Sequence, residues 1–269
     1  MENMHSLILT VHNKDFLLPS VFEGIKKNTS GNYELIVVLD GCSDNSAKIT
    51  YDYYHKFDKM RIFETPNVFE TKANNVGLKN SSGKYCTIIQ DDMIINEHAW
   101  NERMVKPFSF NDVFAVTSRT AHNWKFNPHT VHLDMANELD NCWCDILNHI
   151  DHAHRENTAR DEFAIRSSVN RGPLMILHED LQKLNYFDEE FSPQDMDDHD
   201  FCYRAKKILN KVCGCYWVDI ITQDSWGGTR IFGSPAAWLL KAHHKNTKIF
   251  YNRHKDLINL PQLIESRQI

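Results

Sequence analysis

Within the first 92 residues a short apolar run gives way, four times over, to a polar cluster, and the first three clusters lead into segments of helical spacing. Ser6-Leu7-Ile8-Leu9-Thr10-Val11 stops at His12-Asn13-Lys14-Asp15. Phe16 to Lys27 then sets Leu17, Val21, Phe22 and Ile25 on one face, with Gly31 soon after it. Glu34 to Leu39 ends in Asp40-Gly41-Cys42-Ser43-Asp44-Asn45-Ser46 and a helix-like Ala47 to Phe57. Arg61 to Glu64 leads through Asn67 to a helix over Lys72 to Asn80, and Tyr85 to Ile89 runs into Gln90-Asp91-Asp92. Apolar β-branched runs bounded by turn residues are buried strands, and their alternation with helices predicts a parallel α/β sheet. The polar clusters all fall at strand C-terminal ends, where open α/β sheets bind ligands.

Beyond residue 118 the pattern weakens. The stretch to Val169 is rich in His, Asn, Trp and acidic residues, including His122, His129, His132, His149, His152 and His154. The histidines invite a metal reading, yet no His-Glu-x-x-His pattern supports it, and solvated or hydrogen-bonded imidazoles beside a cleft explain them as well. After Arg171-Gly172-Pro173 a strand, Leu174 to Leu177, returns to the sheet, and an acidic knot from Asp195 to Asp200 opens a helix over Asp200 to Leu209. Residues 241–255 form a basic, aromatic run, read either as a solvated helix face or as a peripheral membrane or acceptor contact. No repeat or low-complexity segment appears.

A net charge of -6 argues against a nucleic-acid partner, whose affinity rests on a basic surface. No stretch approaches the about 20 apolar residues that span a bilayer, and Met1 to His5 does not read as a secretory signal. Seven scattered cysteines do not form a disulfide framework, so a reducing, cytoplasmic location is expected. Cys142/Cys144 and Cys213/Cys215 lack zinc-site spacing and read as buried thiols.

The acidic pair Asp91–Asp92 at a strand end is costly to hold together unless a cation or water neutralises it. Mn²⁺ or Mg²⁺, which prefer oxygen ligands and share them with substrate phosphates, is one answer. Taken alone, the pair also reads as a turn capping the next helix, and the Asp40–Ser46 loop is equally ambiguous. What separates the readings is that Thr10-Val11-His12-Asn13, Asp40 and Gln90-Asp91-Asp92 end strands at the spacing of successive βαβ units.

In that order and spacing the chain, over residues 5 to 230, resembles the GT-A glycosyltransferases of family 2. Thr10-Val11-His12-Asn13 is similar to the family's Pro-Thr-Tyr-Asn segment. Val38-Leu39-Asp40-Gly41-Cys42-Ser43-Asp44 is similar to its Val-Asp-Asp-Gly-Ser-x-Asp loop, and Ala73-Asn74-Asn75-Val76-Gly77 to its Ala-Arg-Asn-x-Gly helix. Ile89-Gln90-Asp91-Asp92 stands at its Asp-x-Asp turn, and Asp197-Asp198-His199-Asp200-Phe201 with Arg204 at its Glu-Asp-x-Asp-Leu and Arg.

The resemblance implies a GT-A fold: a mostly parallel central sheet flanked by helices over residues 1–230, and a C-terminal helical extension over 231–269. Residues 1–117 would bind the donor and 118–230 the acceptor. It implies a nucleotide-sugar donor, UDP-linked by expectation, a saccharide or other hydroxyl acceptor, and a divalent metal. Thr10, Val11, His12, Asn13, Asp40, Asn67, Asn75, Gln90 and Asp91 fall on the donor side, Val11 and Asp40 at the base and Asp91 at the ribose or sugar. Asp92 would hold the metal, and Asp198 would be the general base of an inverting transfer, with Asp197 its rival. An acidic helix start favoured by the macrodipole accounts for the knot without catalysis.

Three positions depart from the family pattern. Gln90 replaces the first Asp of the turn, Asp197 replaces Glu, and the family's late His is not evident in Gln223-Asp224-Ser225-Trp226-Gly227-Gly228, where Asp224 is a candidate substitute ligand. Arg171, Trp124 and Trp226 are expected on the acceptor side, Trp226 with its glycines as a flap or simply as a packed ring. Two rivals stand beside this reading. A nucleotidyltransferase on a related sheet would need a Gly-rich, basic first loop, of which only Lys14 is present, and a turnover-deficient sugar- or nucleotide-binding protein would fit Gln90 and the missing His.

Overall fold

The computed structural model describes residues 4–127, 147–193, 195–227 and 237–269. His129, His132, Cys142, Cys144 and Gly228 lie outside the described residues, and of Asp224 only the backbone is described. The opening alternation is as expected: β1 (His5–Val11), α1 (Leu18–Asn28), β2 (Tyr33–Asp40), α2 (Ser46–Tyr53), β3 (Met60–Thr65), α3 (Glu70–Lys79) and β4 (Tyr85–Gln90). Every residue of β1 and all but the first of β2 are buried, which is why these strands read as continuous apolar runs: helices cover both faces of the sheet. Helix α1 starts later than expected. Phe16 stays 64% exposed, because the Lys14 carbonyl accepts the N–H of both Leu17 and Leu18 and turns the chain before Pro19 sets the first helical turn.

The second half adds β5 (Ile94–Ile95), α4 (Trp100–Val105), β6 (Val113–Thr117), β7 (Thr120–Phe126), β8 (Leu147–His154), β9 (Glu162–Arg166), β10 (Ser168–Val169), β11 (Leu174–Leu177), α5 (His178–Lys183), α6 (Asp197–Leu209), β12 (Val212–Cys215), β13 (Ile220–Ile221), α7 (Ala237–Ile258) and β14 (Glu265–Gln268). The main sheet has the order β14-β9-β12-β6-β11-β4-β1-β2-β3. The parallel block β3-β2-β1-β4 meets an antiparallel β11, and β9 also runs against its neighbours. The segment whose periodicity fades holds a small sheet, β10-β7-β8. Strand β7 escapes sequence reading because Ala121, His122, Asn123 and Trp124 are all buried, leaving no alternation of apolar and polar.

The C-terminal extension differs from the expectation of helix alone. Helix α7 packs on α6 and β7 through Phe250, whose ring lies 5.5 Å from Trp124 and 5.1 Å from Tyr203. Strand β14 then pairs with β9 and becomes an edge of the main sheet. Within 241–255, Lys241, Lys245, Lys248 and Lys255 are exposed while His244, Asn246, Thr247, Phe250 and His254 are buried, so the basic run is one stripe of an amphipathic helix. No helix among the described residues is long and apolar enough to cross a membrane. Cys213 and Cys215 are buried free thiols on β12.

Candidate active site

The strand-end clusters converge as hydrogen-bonded neighbours. The His12 backbone N–H donates to Asp91 Oδ2 at 2.9 Å, and His12 Nδ1 lies 2.6 Å from the Asp40 carbonyl oxygen. Asn13, held at a left-handed φ of 50°, accepts the Ser43 N–H through Oδ1 at 2.7 Å. The ends of β1, β2 and β4 are thereby locked to one another by polar groups that the apolar strands deliver but do not bury in the core.

At the β4 end the two carboxylates part company. Asp91 faces inward, with the Lys14 ammonium 3.8 Å from Oδ1; Lys14 itself is only 1% exposed and also donates to the Trp226 carbonyl. Burial pushes the Asp91 carboxyl up to about 7, against the pull of Lys14 and the His12 N–H and with the help of Asp92 and Glu70. Asp92 Oδ1 is buried without a hydrogen-bond partner. Its residue lines a polar cavity of about 400 Å³ together with Arg119, His154, Arg155, Glu156 and Thr222. An anionic oxygen left unpaired beside a cavity is the donor that a hard divalent cation seeks. Gln90 brings no charge: its amide donates to Glu70 at 3.1 Å, and its carbonyl accepts from Arg119 at 3.2 Å.

The acidic knot divides in the same way. Asp197 is fully buried and its carboxylate is consumed, by Thr71 Oγ1 at 2.8 Å and by a bidentate Arg171 guanidinium at 2.7 and 2.5 Å. Burial alone would lower the Arg171 pKa, but Asp197, Glu70 and Asp198 hold the guanidinium firmly charged. Asp198, 5% exposed, accepts the backbone N–H of Arg171 at 3.2 Å and of His199 at 2.9 Å, and His199 Nε2 stands 3.4 Å away. Burial works against its ionised form, yet His199 and Arg171 outweigh it and keep the carboxyl below the usual carboxylate range. Contacts from Asp198 to Arg171, from Arg171 to Glu70 at 3.4 Å and from Glu70 to Gln90 tie the knot to the Asp91–Asp92 turn.

Several residues expected at the site have other duties. Arg171 is no free acceptor contact, because its guanidinium is committed to Asp197. Trp124, 4% exposed, packs among His122, His149, His199 and Phe250 and is closed off from a cleft. Asn75 faces away from the turn: its amide donates to the Phe187 carbonyl at 2.9 Å and accepts the Phe187 N–H at 3.1 Å, stapling α3 to the loop before α6. The Asp40 carboxylate accepts from Thr65 Oγ1 at 2.7 Å and from the N–H groups of Val68 and Phe69 at 2.6 and 2.9 Å, so it shapes the β3–α3 loop. Asn67 lies in that loop at φ 48° and presses on Gly41. Val11 is buried, and Thr10 Oγ1 donates to Asn74 at 2.7 Å. Trp226 is half-buried, and its carbonyl receives Lys14. Sequence reading did not single out Glu70, Arg119, Arg155, Ser168 or His199. Of these only His199 carried a signal, its place inside the acidic knot.

The fold and the strand-end site together define an α/β domain of the GT-A type. The profile of glycosyl transferase family 2 matches residues 6–175, more than half of the chain, and the chain belongs to that family. Glycosyltransferase GlyG of Streptococcus pneumoniae serotype 4 is 30% identical over 99 residues, 36% of this chain and 33% of that protein. A glycosyltransferase of Haemophilus influenzae is 32% identical over 94 residues, 34% of this chain and 38% of that one. The chain thus aligns with only about a third of the length of these relatives. Among solved structures, GalNAc-T7 with UDP, GalNAc and Mn²⁺ superposes with a TM-score of 0.67 at 13% identity, covering 94% of this chain and 50% of that one. S. aureus TarS 1–349 in complex with UDP gives 0.52 at 16% identity, covering 94% and 72%. At such identities the likeness is one of fold.

Proposed function

We propose that this protein transfers a sugar from a nucleoside diphosphate, with UDP the expected nucleotide, to a hydroxyl acceptor with inversion. The observation that carries the reading is the unpaired, buried Asp92 Oδ1 beside a polar cavity at the C-terminal ends of the parallel strands. Solved neighbours of the same fold hold UDP, one of them with Mn²⁺, which supports a nucleotide at this sheet edge.

Asp92 is the residue that fits a divalent ion, with Asp224 a second candidate by position. A divalent ion such as Mn²⁺ or Mg²⁺, if held there, would supply positive charge toward the donor diphosphate. The protein's own groups do the rest. Asp91, fixed by the His12 N–H and Lys14, is the residue assigned to the donor's ribose or sugar through its part-exposed edge, and the cavity beside Asp92 receives the transferred unit. Asp198 is kept ionised, so it takes the acceptor's proton while the acceptor oxygen bonds to the anomeric carbon and the carbon–oxygen bond to the diphosphate breaks. Asp197 does not share that role in this reading, since all its capacity goes to Arg171 and Thr71. The Asp198→Asn variant is expected to lose about 10²- to 10⁴-fold in transfer rate while binding UDP and Mn²⁺ as the parent does. Near-parental transfer by that variant would remove Asp198 from the mechanism, and failure of the parent to bind or hydrolyse any nucleotide sugar with Mn²⁺ present would remove the mechanism itself.

A further inference from the structure

The small sheet carries a cluster for which sugar transfer has no use. His122 and Trp124 alternate along β7 and share a face, and His149 stands opposite Trp124 in the β7–β8 ladder. Strict alternation would next bring Asp151 to that face. Instead the register shifts between Ala121 and Asn123, and Asp151 adopts a left-handed φ of 54°. Such a bulge inserts one residue and re-aims the side chains beyond it, and here it delivers His152. The ring centroids of His122 and His149 are 5.0 Å apart, those of His122 and His152 5.9 Å, and those of His149 and His152 4.7 Å.

His122 is 2% exposed, and neither of its ring nitrogens has a hydrogen-bond partner. An imidazole always presents a donor or acceptor at each nitrogen, and burying both unpaired opposes folding. His149 and His152 are exposed. Imidazole nitrogens bound at about 2.0–2.1 Å to a tetrahedral ion place their ring centroids about 5 Å apart, the spacing of this trio.

We propose that His122, His149 and His152 form a binding site for a borderline transition-metal ion of the zinc class. Imidazole donors favour zinc, nickel or copper, whereas the carboxylate at Asp92 favours manganese or magnesium, so the two sites are chemically distinct. Among the described residues no three His, Cys, Asp or Glu side chains are placed to hold a metal ion as they stand. The site therefore closes when the exposed rings of His149 and His152 rotate onto the ion beside His122. His199, 4.9 Å from His122 between ring centroids, is a neighbour and not a ligand. Its Nδ1 is taken by Ser168 Oγ at 2.5 Å, and its Nε2 faces Asp198. A bound ion would clamp β8 to β7 and steady the His199 ring against Asp198.

The test uses the full chain, stripped with a chelator and then dialysed against Zn²⁺ or Co²⁺. One retained ion per chain is expected, with the intense visible bands of tetrahedral Co²⁺, and it should persist in Asp92→Asn. The double variant His149→Gln/His152→Gln alters only exposed rings and so keeps the fold, and it should bind at least about tenfold more weakly. His122→Gln should do the same. Absence of a retained ion in the parent, undiminished binding in the double variant, or loss of the ion in Asp92→Asn would each overturn the proposal.

Discussion

Arg171→Met is the substitution whose consequence the structure specifies most sharply. The side chain is 8% exposed and its partner Asp197 is fully buried, so the change leaves a carboxylate in the interior with Thr71 Oγ1 as its one side-chain donor. Breaking a buried pair from one side costs about 3–5 kcal/mol, because the orphaned charge keeps its desolvation penalty and loses its compensation. Against a total stability of about 5–15 kcal/mol that is about a fifth or more, and a melting temperature lower by roughly 10 °C. Urea titration of the parent, Arg171→Met and the double variant Arg171→Met/Asp197→Leu measures it. The double variant removes both charges and should recover much of the loss. If the single variant lost under about 1 kcal/mol, or the double variant were no better than the single, the buried-pair account would fail. An unchanged stability with a raised acceptor KM would instead return Arg171 to the acceptor site.

Lys14→Met removes the cation 3.8 Å from Asp91 and should weaken UDP binding with Mn²⁺ by about tenfold, the equivalent of 1.4 kcal/mol, read by thermal shift; undiminished affinity would separate Lys14 from the donor. Gly41→Ala forces a side chain onto a φ of 62° with its Cβ 2.7 Å from the Asn67 N, and should destabilise by about 1–3 kcal/mol while loosening the loop that Asp40 holds. A melting curve identical to the parent's would count against that packing. Glu34, buried and hydrogen-bonded by Ser6 and Ser82 and paired with Arg61, has its pKa raised by burial but lowered further by those partners, to a net value below 4.5. Its stabilisation is therefore complete above pH 4.5 and lost as pH falls through the folded value. Melting curves of parent and Glu34→Gln should converge along that acid limb, and a gap independent of pH would refute the linkage.

Sequence alone determined the parallel block and which polar clusters end its strands. Apolar runs buried on both faces leave a one-dimensional signature, and their polar ends must emerge together at one sheet edge. That is why Asp91, Asp92, His12 and Asn13 are legible in the linear chain as strand-end neighbours. What each acidic residue does was decided by tertiary structure, since Asp197 and Asp198 are neighbours of like chemistry in the chain. Only the fold brings Arg171 and Thr71 against the first and leaves the second with backbone donors and an imidazole. Asn75 and Arg171 look like ligand contacts in the linear chain, but Asn75 spends its hydrogen bonds on Phe187 in the loop before α6, and Arg171 spends its own on Asp197 and Asp198 at the start of α6. Strand β7 was likewise invisible, because its residues are buried on both sides and erase alternation, and the bulge that gathers His122, His149 and His152 depends on the register of β7 against β8, which only their pairing sets.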